Sequence, residues 1–416
     1  MRKLDLPFAS AARYSLAILG PIGSAGAQFA LSLVLLRVLD QGGFGRFSFL
    51  LVLSQFTWGI WTALFCAPLP LLLSQGTGET RDRTRRTIQN ASLIGAVVAL
   101  ILFGVVGMLL GEDFGAAAIF AAYAAMSLLR WFARAHAYAI GAQVRTTISD
   151  MVYAATVLIG AGLLLVFKSD ALLSAWAILF AGATLGMIPF GRTYLREQFL
   201  QVSPRALADY RPVWREHSRW SLFGVATTEA TANAHTYFVI LLMGPTAFAP
   251  IAASALIIRP INVAMNALTE FERAQMARQI GAGRVDLAHR AARFFRAALA
   301  LVWLLTAVAI VALFYRAPSL IFPPQYDIGV LVTGVTLWML VSAIRAMRTP
   351  ESALLQAAGA FQPLARASLW SSIVSIVAVL ALLMLGQPLW SIVGILFGEA
   401  VFAALTWRAV RVCFRP

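Results

Sequence analysis

Long apolar stretches separated by short polar segments recur along this chain, and twelve of them are read as membrane-crossing helices. A hydrocarbon core about 30 Å thick takes roughly 20 apolar residues in a helix. The expected spans are 15–36, 47–73, 90–111, 114–129, 151–167, 171–191, 220–243, 247–268, 297–315, 326–344, 367–386 and 388–407. The pattern predicts an all-α, polytopic membrane protein.

The polar segments alternate in charge. The N-terminus and every second connection carry 28 of the 33 Lys and Arg residues. The remainder are Arg37, Arg46, Lys168 and Arg316 in the intervening connections, and Arg259 inside a span. Basic connections stay on the cytoplasmic side, which places both termini inside. A chain 60% hydrophobic and 12% charged is no ordinary soluble domain. Its net charge of +15 is spread through the connections, so it faces anionic lipid rather than nucleic acid.

The first apolar run follows Arg2 and Lys3, but it extends to Leu36 with no small-residue cleavage site and reads as a retained helix. Cys66 lies in the second span and Cys413 in the tail, which excludes a disulfide framework. His136, His217, His235 and His289 are scattered singly, without metal-ligand spacing. No cofactor is expected.

The long inner connection at 192–219 divides the spans six and six. It predicts an N-terminal bundle over 1–191, a cytoplasmic amphipathic linker over 192–219, and a C-terminal bundle with a short cytoplasmic tail over 220–416. Ser203-Pro204 is a helix-start pair, and Leu207, Tyr210 and Trp214 follow at helical spacing. Arg13-Tyr14-Ser15-Leu16 and Arg219-Trp220-Ser221-Leu222 open the two halves alike, as in parallel-repeat transporters.

Ionisable residues deep in a bilayer are costly and mark function by default. Glu229, Arg259 and Glu399 fall at similar depth, Glu229 being about 14 Å from the inner side at 1.5 Å per residue. An ion pair of Arg259 with Glu229, Glu399 or both is expected. Thr227, Thr228, Thr231, Asn233 and His235 surround Glu229 with more polarity than one pair requires, which suggests a water-filled cavity. Pro260 weakens the helix beside Arg259. Glu229, Glu399 and His235 are candidates for coupling to H+ or Na+; Arg259, Asn233 and Gln55 are candidates for cargo binding.

The first half carries Gln28, Gln55, Trp58 and Trp61 but no charge away from the ends of its spans. Trp58 and Trp61 share one helical face, for packing or for stacking on a sugar. Arg130 and Arg134 also share a face, at spacing suited either to positive-inside anchoring or to a pyrophosphate. The adjacent Glu112 and Asp113 read as a solvated turn rather than an acid/base pair. No phosphate-cradling loop is present, and the short outer connections leave little room for catalysis.

Three stretches carry a family resemblance. Arg37-Val38-Leu39-Asp40-Gln41-Gly42-Gly43-Phe44-Gly45-Arg46-Phe47-Ser48 is similar to the R-x-L and aromatic-Gly-x-aromatic-Ser pattern of polysaccharide flippases. Leu355-Gln356-Ala357-Ala358-Gly359 resembles their L-x-A-x-G element, and Ala252 to Arg259 resembles their small-residue run ending in Arg. The chain thus resembles Wzx-type flippases of the multidrug/oligosaccharidyl-lipid/polysaccharide (MOP) superfamily. That resemblance implies a bacterial inner-membrane protein of two six-helix bundles, like those of multidrug and toxin extrusion (MATE) proteins. It also implies a polyprenyl-pyrophosphate oligosaccharide as cargo, with glycosyltransferases and a polymerase as pathway partners. Relatives often carry an acid followed by Arg in the seventh helix; here that neighbourhood reads Asn233-Ala234-His235-Thr236.

Three rival readings stand beside it. Gly78-Glu79-Thr80-Arg81-Asp82-Arg83-Thr84-Arg85-Arg86 resembles the inner loop of major-facilitator porters, without its internal Gly. A MATE-type drug exporter would share the fold. A membrane-bound polymerase or sugar transferase is the reading of a different class.

Overall fold

The computed structural model describes residues 7–75, 78–167, 170–201, 203, 205–316 and 324–414. Arg2, Lys3, Lys168 and Pro204 lie outside the described residues, as do the side chains of residues 7–19, His217, Trp220 and Thr231. The described chain is helical without strands. In order the helices are α1 Pro7–Val38, α2 Gln41–Trp61, α3 Pro68–Gln75, α4 Gly78–Leu109, α5 Phe114–Ala139, α6 Gln143–Phe167, α7 Ala171–Leu185, α8 Arg192–Leu200, α9 Ala206–Val213, α10 Arg219–Leu256, α11 Arg259–Gly281, α12 Val285–Arg316, α13 Ile328–Ala357, α14 Phe361–Met384 and α15 Ser391–Cys413. Eleven segments among the described residues are long and apolar enough to cross a membrane. This is a multi-pass membrane protein.

The chain forms two compact units. The first comprises Met1–Val38 and Leu50–Val225, the second Leu39–Phe49 and Ala226–Pro416. In the first, α6 packs on α1 and α7, and α5 packs on α4 and α7. In the second, α15 lies between α14 and α13, and α11 and α12 pack on each other and on α13.

Small residues set these approaches, because helix association in lipid depends on backbone proximity rather than on expelling water. Gly394 and Gly398 of α15 face Val379, Ser375 and Ser371 of α14, and a Cβ at either glycine would meet that helix at 2.6 Å. Ser371 Oγ donates to the Gly398 carbonyl at 2.8 Å. Glu399 follows immediately and is buried there.

The flippase-like stretches have local physical reasons. Asp40 caps α2, accepting from Gly43 N–H at 2.9 Å. A Cβ on Gly45 would lie 2.0 Å from the Pro245 carbonyl oxygen, so no side chain fits that position of the aromatic-Gly-x-aromatic stretch. Leu355 to Gly359 is a helix end: Gly359 has φ +73° and Ala360 N–H returns to the Leu355 carbonyl at 2.9 Å.

One boundary differs from expectation. Gly244, at φ 82° and ψ 174°, interrupts α10 in the expected gap between spans 220–243 and 247–268, whereas a second, unexpected break at Ile257 and Ile258 divides 247–268. Arg259 is therefore the first residue of α11, with Pro260 beside it, rather than an interior residue of a span. Pro is suited to a first turn, where its missing N–H is not needed. The linker region forms α8, α9 and a π-turn at Trp214–Ser218 that runs into α10. Within α9 Tyr210 is buried and Leu207 exposed, and Trp214, which opens the π-turn, is exposed as well.

A second π-turn, Thr62–Cys66, ends α2. Four residues beyond Leu64 stands Pro68, which has no N–H, so the Leu64 carbonyl lacks its usual helical partner. Here the Leu64 carbonyl accepts from Tyr210 Oη at 2.5 Å and from Ser218 Oγ at 2.8 Å.

Candidate functional site

Each unit buries one carboxylate between two arginines. In the first unit α5 supplies Arg130 and Arg134 and α6 supplies Asp150. Arg130 Nη2 donates to Asp150 Oδ1 at 2.5 Å, and Arg134 Nη2 to Oδ2 at 2.9 Å. Arg130 Nε binds Ser149 Oγ at 3.0 Å, Ser149 in turn donates to the Gly186 carbonyl, and the guanidinium lies 4.5 Å from the Tyr153 ring centroid. Gly20 of α1 leaves room for the carboxylate, since a Cβ there would meet Asp150 Oδ2 at 2.7 Å. The expectation that the first half holds no charge away from its span ends is thereby corrected. Asp150 occupies the place assigned to a pyrophosphate between the two arginines.

Gln55 and the tryptophans continue this polar layer. Gln28 Nε2 donates to Tyr153 Oη at 2.8 Å and Gln55 Nε2 approaches Gln28 Oε1 at 3.5 Å. Trp58 stacks on Trp131 at 5.2 Å, with Arg134 over the Trp131 ring at 4.9 Å. Both indole N–H groups are satisfied, by Ser127 and Thr62. Trp61 turns elsewhere, edge-on to Phe65.

In the second unit α13 supplies Arg345 and Arg348 and α15 supplies Glu399. Arg345 Nε donates to Glu399 Oε1 at 2.6 Å and Arg348 Nε to Oε2 at 2.7 Å. Glu399 is 1% exposed, and Arg348 also lies over the Phe402 ring at 4.1 Å. Both Glu399 oxygens are thus held by α13. A buried carboxylate is stable only when paired and hydrogen-bonded, and two guanidiniums fill both oxygens.

Glu229 is held differently. Its Oε1 accepts from Asn233 Nδ2 at 2.8 Å and from Tyr237 Oη at 2.9 Å, one and two turns along the same helix. Phe49 sits edge-on to Tyr237 at 6.1 Å. The nearby guanidinium that acts electrostatically on both Glu229 and His235 is Arg345, whose Nη2 has no hydrogen-bond partner among the described residues. His235 is buried against Trp338, 5.4 Å between ring centroids, and its Nε2 meets Thr236 Oγ at 3.2 Å. The structure thus brings Glu229, Asn233 and Tyr237 into direct contact and places Arg259 at a helix start.

The residues missed from sequence are Asp150, Arg345 and Arg348. Their signal was present: two arginines one turn apart, and a single acid at comparable depth in another span.

No family model matches the chain, and no curated protein sequence matches it. Among solved structures, the lipid II flippase MurJ in an inward closed conformation superposes with a TM-score of 0.68 at 11% identity, covering 96% of this chain and 87% of that chain. The eukaryotic MATE transporter AtDTX14 gives 0.59 at 15% identity, covering 98% and 96%. A MOP superfamily transporter from Pyrococcus furiosus gives 0.61 at 14% identity, covering 96% and 94%. At such identities the likeness is one of fold. The fold is that of MATE proteins and MurJ, which are transporters and a flippase rather than enzymes.

Proposed function

We propose that this protein is a flippase of the bacterial inner membrane. It moves a polyprenyl-pyrophosphate-linked oligosaccharide from the inner to the outer leaflet by alternating access, for surface polysaccharide assembly. The observation that supports this most is the excess of guanidinium over carboxylate in both buried clusters, Arg130 and Arg134 with Asp150 and Arg345 and Arg348 with Glu399. Each cluster retains one net positive charge in a low-dielectric setting, where its field is strong. That charge suits an anionic cargo and opposes the cationic cargo of a drug exporter. Arg345 is assigned to the pyrophosphate, since its Nη2 has no hydrogen-bond partner among the described residues and its charge acts on Glu229. A sugar head loses its water partners in hydrocarbon and needs polar substitutes, which Asn233 and Gln55 supply.

Coupling is assigned to Glu229. It is fixed by an amide and a phenol rather than by a cation, so it can take up a proton without breaking an ion pair. Both termini are placed in the cytoplasm, with glycosyltransferases and a polymerase as partners in the pathway. Depletion of the protein is expected to accumulate lipid-linked oligosaccharide on the cytoplasmic leaflet. Intact surface polysaccharide without such accumulation overturns the reading.

A further inference from the structure

In the first unit Trp61 and Trp176 are 4% and 0% exposed and belong to the core, whereas Trp58 of α2 and Trp131 of α5 are only half-buried. These two lie almost parallel, with 9° between ring planes. Their polar edges are tied reciprocally. Trp58 Nε1 donates to Ser127 Oγ at 3.0 Å, on the helix that carries Trp131, and Trp131 Nε1 donates to Thr62 Oγ1 at 2.7 Å, one turn beyond Trp58. Each hydroxyl then donates to a carbonyl one turn back in its own segment, Ser127 to Ala124 and Thr62 to Trp58, both at 2.8 Å. Both hydroxyl protons are committed, so each indole plane is fixed.

A half-buried indole has no need of such anchorage, because water can satisfy its N–H. What the anchorage secures is the orientation of the rings. Trp131 is occupied by Trp58 and by the Arg134 guanidinium. Trp58 meets Trp131 on one face, and no other ring or guanidinium lies against it among the described residues. Gln55, three residues earlier, shares its side of α2 and is half-buried too. Its one hydrogen bond among the described residues, to Gln28 Oε1 at 3.5 Å, uses a single N–H. The second N–H and Oε1 remain for a ligand. A flat aromatic face beside a donor and an acceptor matches a pyranose. The ring's C–H hydrogens carry partial positive charge and meet the negative face of the indole, while its hydroxyls reach the amide alongside. The net positive charge of the neighbouring cluster of Arg130, Arg134 and Asp150 opposes a planar cation in the same place.

We propose that the open face of Trp58 stacks on a pyranose ring of the cargo while Gln55 holds that ring's hydroxyls, so that the pair sets the preference for sugar-bearing lipid over bare pyrophosphate. This rests on the flippase reading and adds Trp58 to it as the residue that recognises the ring. A plane fixed beforehand spares the cost of ordering the side chain on binding.

The test uses the purified full-length protein in mild detergent, read by native mass spectrometry with equimolar undecaprenyl pyrophosphate and the same lipid carrying N-acetylglucosamine. The sugar-bearing probe is expected to be retained about tenfold over the bare one, as stacking of one ring on an aromatic side chain allows. Trp58→Leu removes that preference and leaves retention of undecaprenyl pyrophosphate unchanged, whereas a packing role would move both probes together. Trp58→Tyr, which keeps an aromatic face, restores most of the preference. Gln55→Ala lowers it about threefold, as loss of one neutral hydrogen bond allows. Trp61→Leu, in the core, leaves the ratio of the two probes unchanged. Equal retention of both probes by the wild type, or a preference that survives Trp58→Leu, overturns the sugar subsite alone. Retention of neither probe overturns the flippase reading and the subsite with it. Ethidium bound by the wild type in place of the sugar-bearing probe, and lost in Trp58→Leu, overturns the sugar assignment in favour of a planar cation.

Discussion

The two buried clusters share a plan but differ in their surroundings. Around Asp150 the neighbours are a hydroxyl, phenol and indole rings, and a glycine that makes room. Around Glu399, the charge of Arg345 also acts on a second carboxylate, Glu229, and on the His235 imidazole. One cluster is a lock between α5 and α6; the other is a lock between α13 and α15 with a titratable neighbour. Ionic pairing alone therefore does not tell a coupling site from a lock. What distinguishes a coupling site is a second acid within the field of the same guanidinium.

Removing either central acid tests the shared plan. Asp150→Ala and Glu399→Ala each leave two buried arginines unpaired and are expected to cost about 3–5 kcal/mol, read as lost thermal stability in detergent. A neutral result at one site breaks the comparison. Glu229→Gln separates the two units: transport falls on the order of tenfold and its pH dependence flattens, while stability holds within about 0.5 kcal/mol. Arg130→Gln, by contrast, is expected to lower stability and leave the pH dependence of transport unchanged. A changed pH profile in Arg130→Gln would assign coupling to the wrong unit.

The smallest effect sharpens the contrast between buried and surface pairs. Arg85 hydrogen-bonds Glu197 and holds its carboxyl below the usual range. That contribution is present above the unfolded value of about 4.3 and is lost as pH falls through the lower folded value. It is worth about 1 kcal/mol or less at a partly exposed site. Glu197→Gln should remove that acid-side slope, and molar salt should weaken the wild-type pair by screening while leaving the two buried clusters unaffected. Thermal melts across pH and salt read both.

The charge alternation revealed the spans but hid the clusters, for one physical reason. Hydropathy ends a span at the first charges, so Arg345 and Arg348 were counted among the inner connections and Asp150 stood one residue before a span. In the structure α13 continues to Ala357 and α6 begins at Gln143, because charges neutralised against another helix do not end one. Glu399 and Glu229 were legible because each interrupts an apolar run alone. The arginine partners of Glu399 were not, since depth along a helix says nothing of which face a residue occupies, whereas Asn233 was legible as a neighbour of Glu229. The break before Arg259 was signalled by Pro260, read as a weakness rather than as a beginning.

The Leu64 carbonyl, shared by Tyr210 and Ser218, gives the connection after α8 a fixed length. Connections usually tolerate insertion, since lengthening a loop costs little entropy. This one is tied at two points eight residues apart to a single oxygen. A residue added between them would shift one hydroxyl out of reach, so this segment should accept substitution at Leu207 and Trp214 far more readily than any change in length.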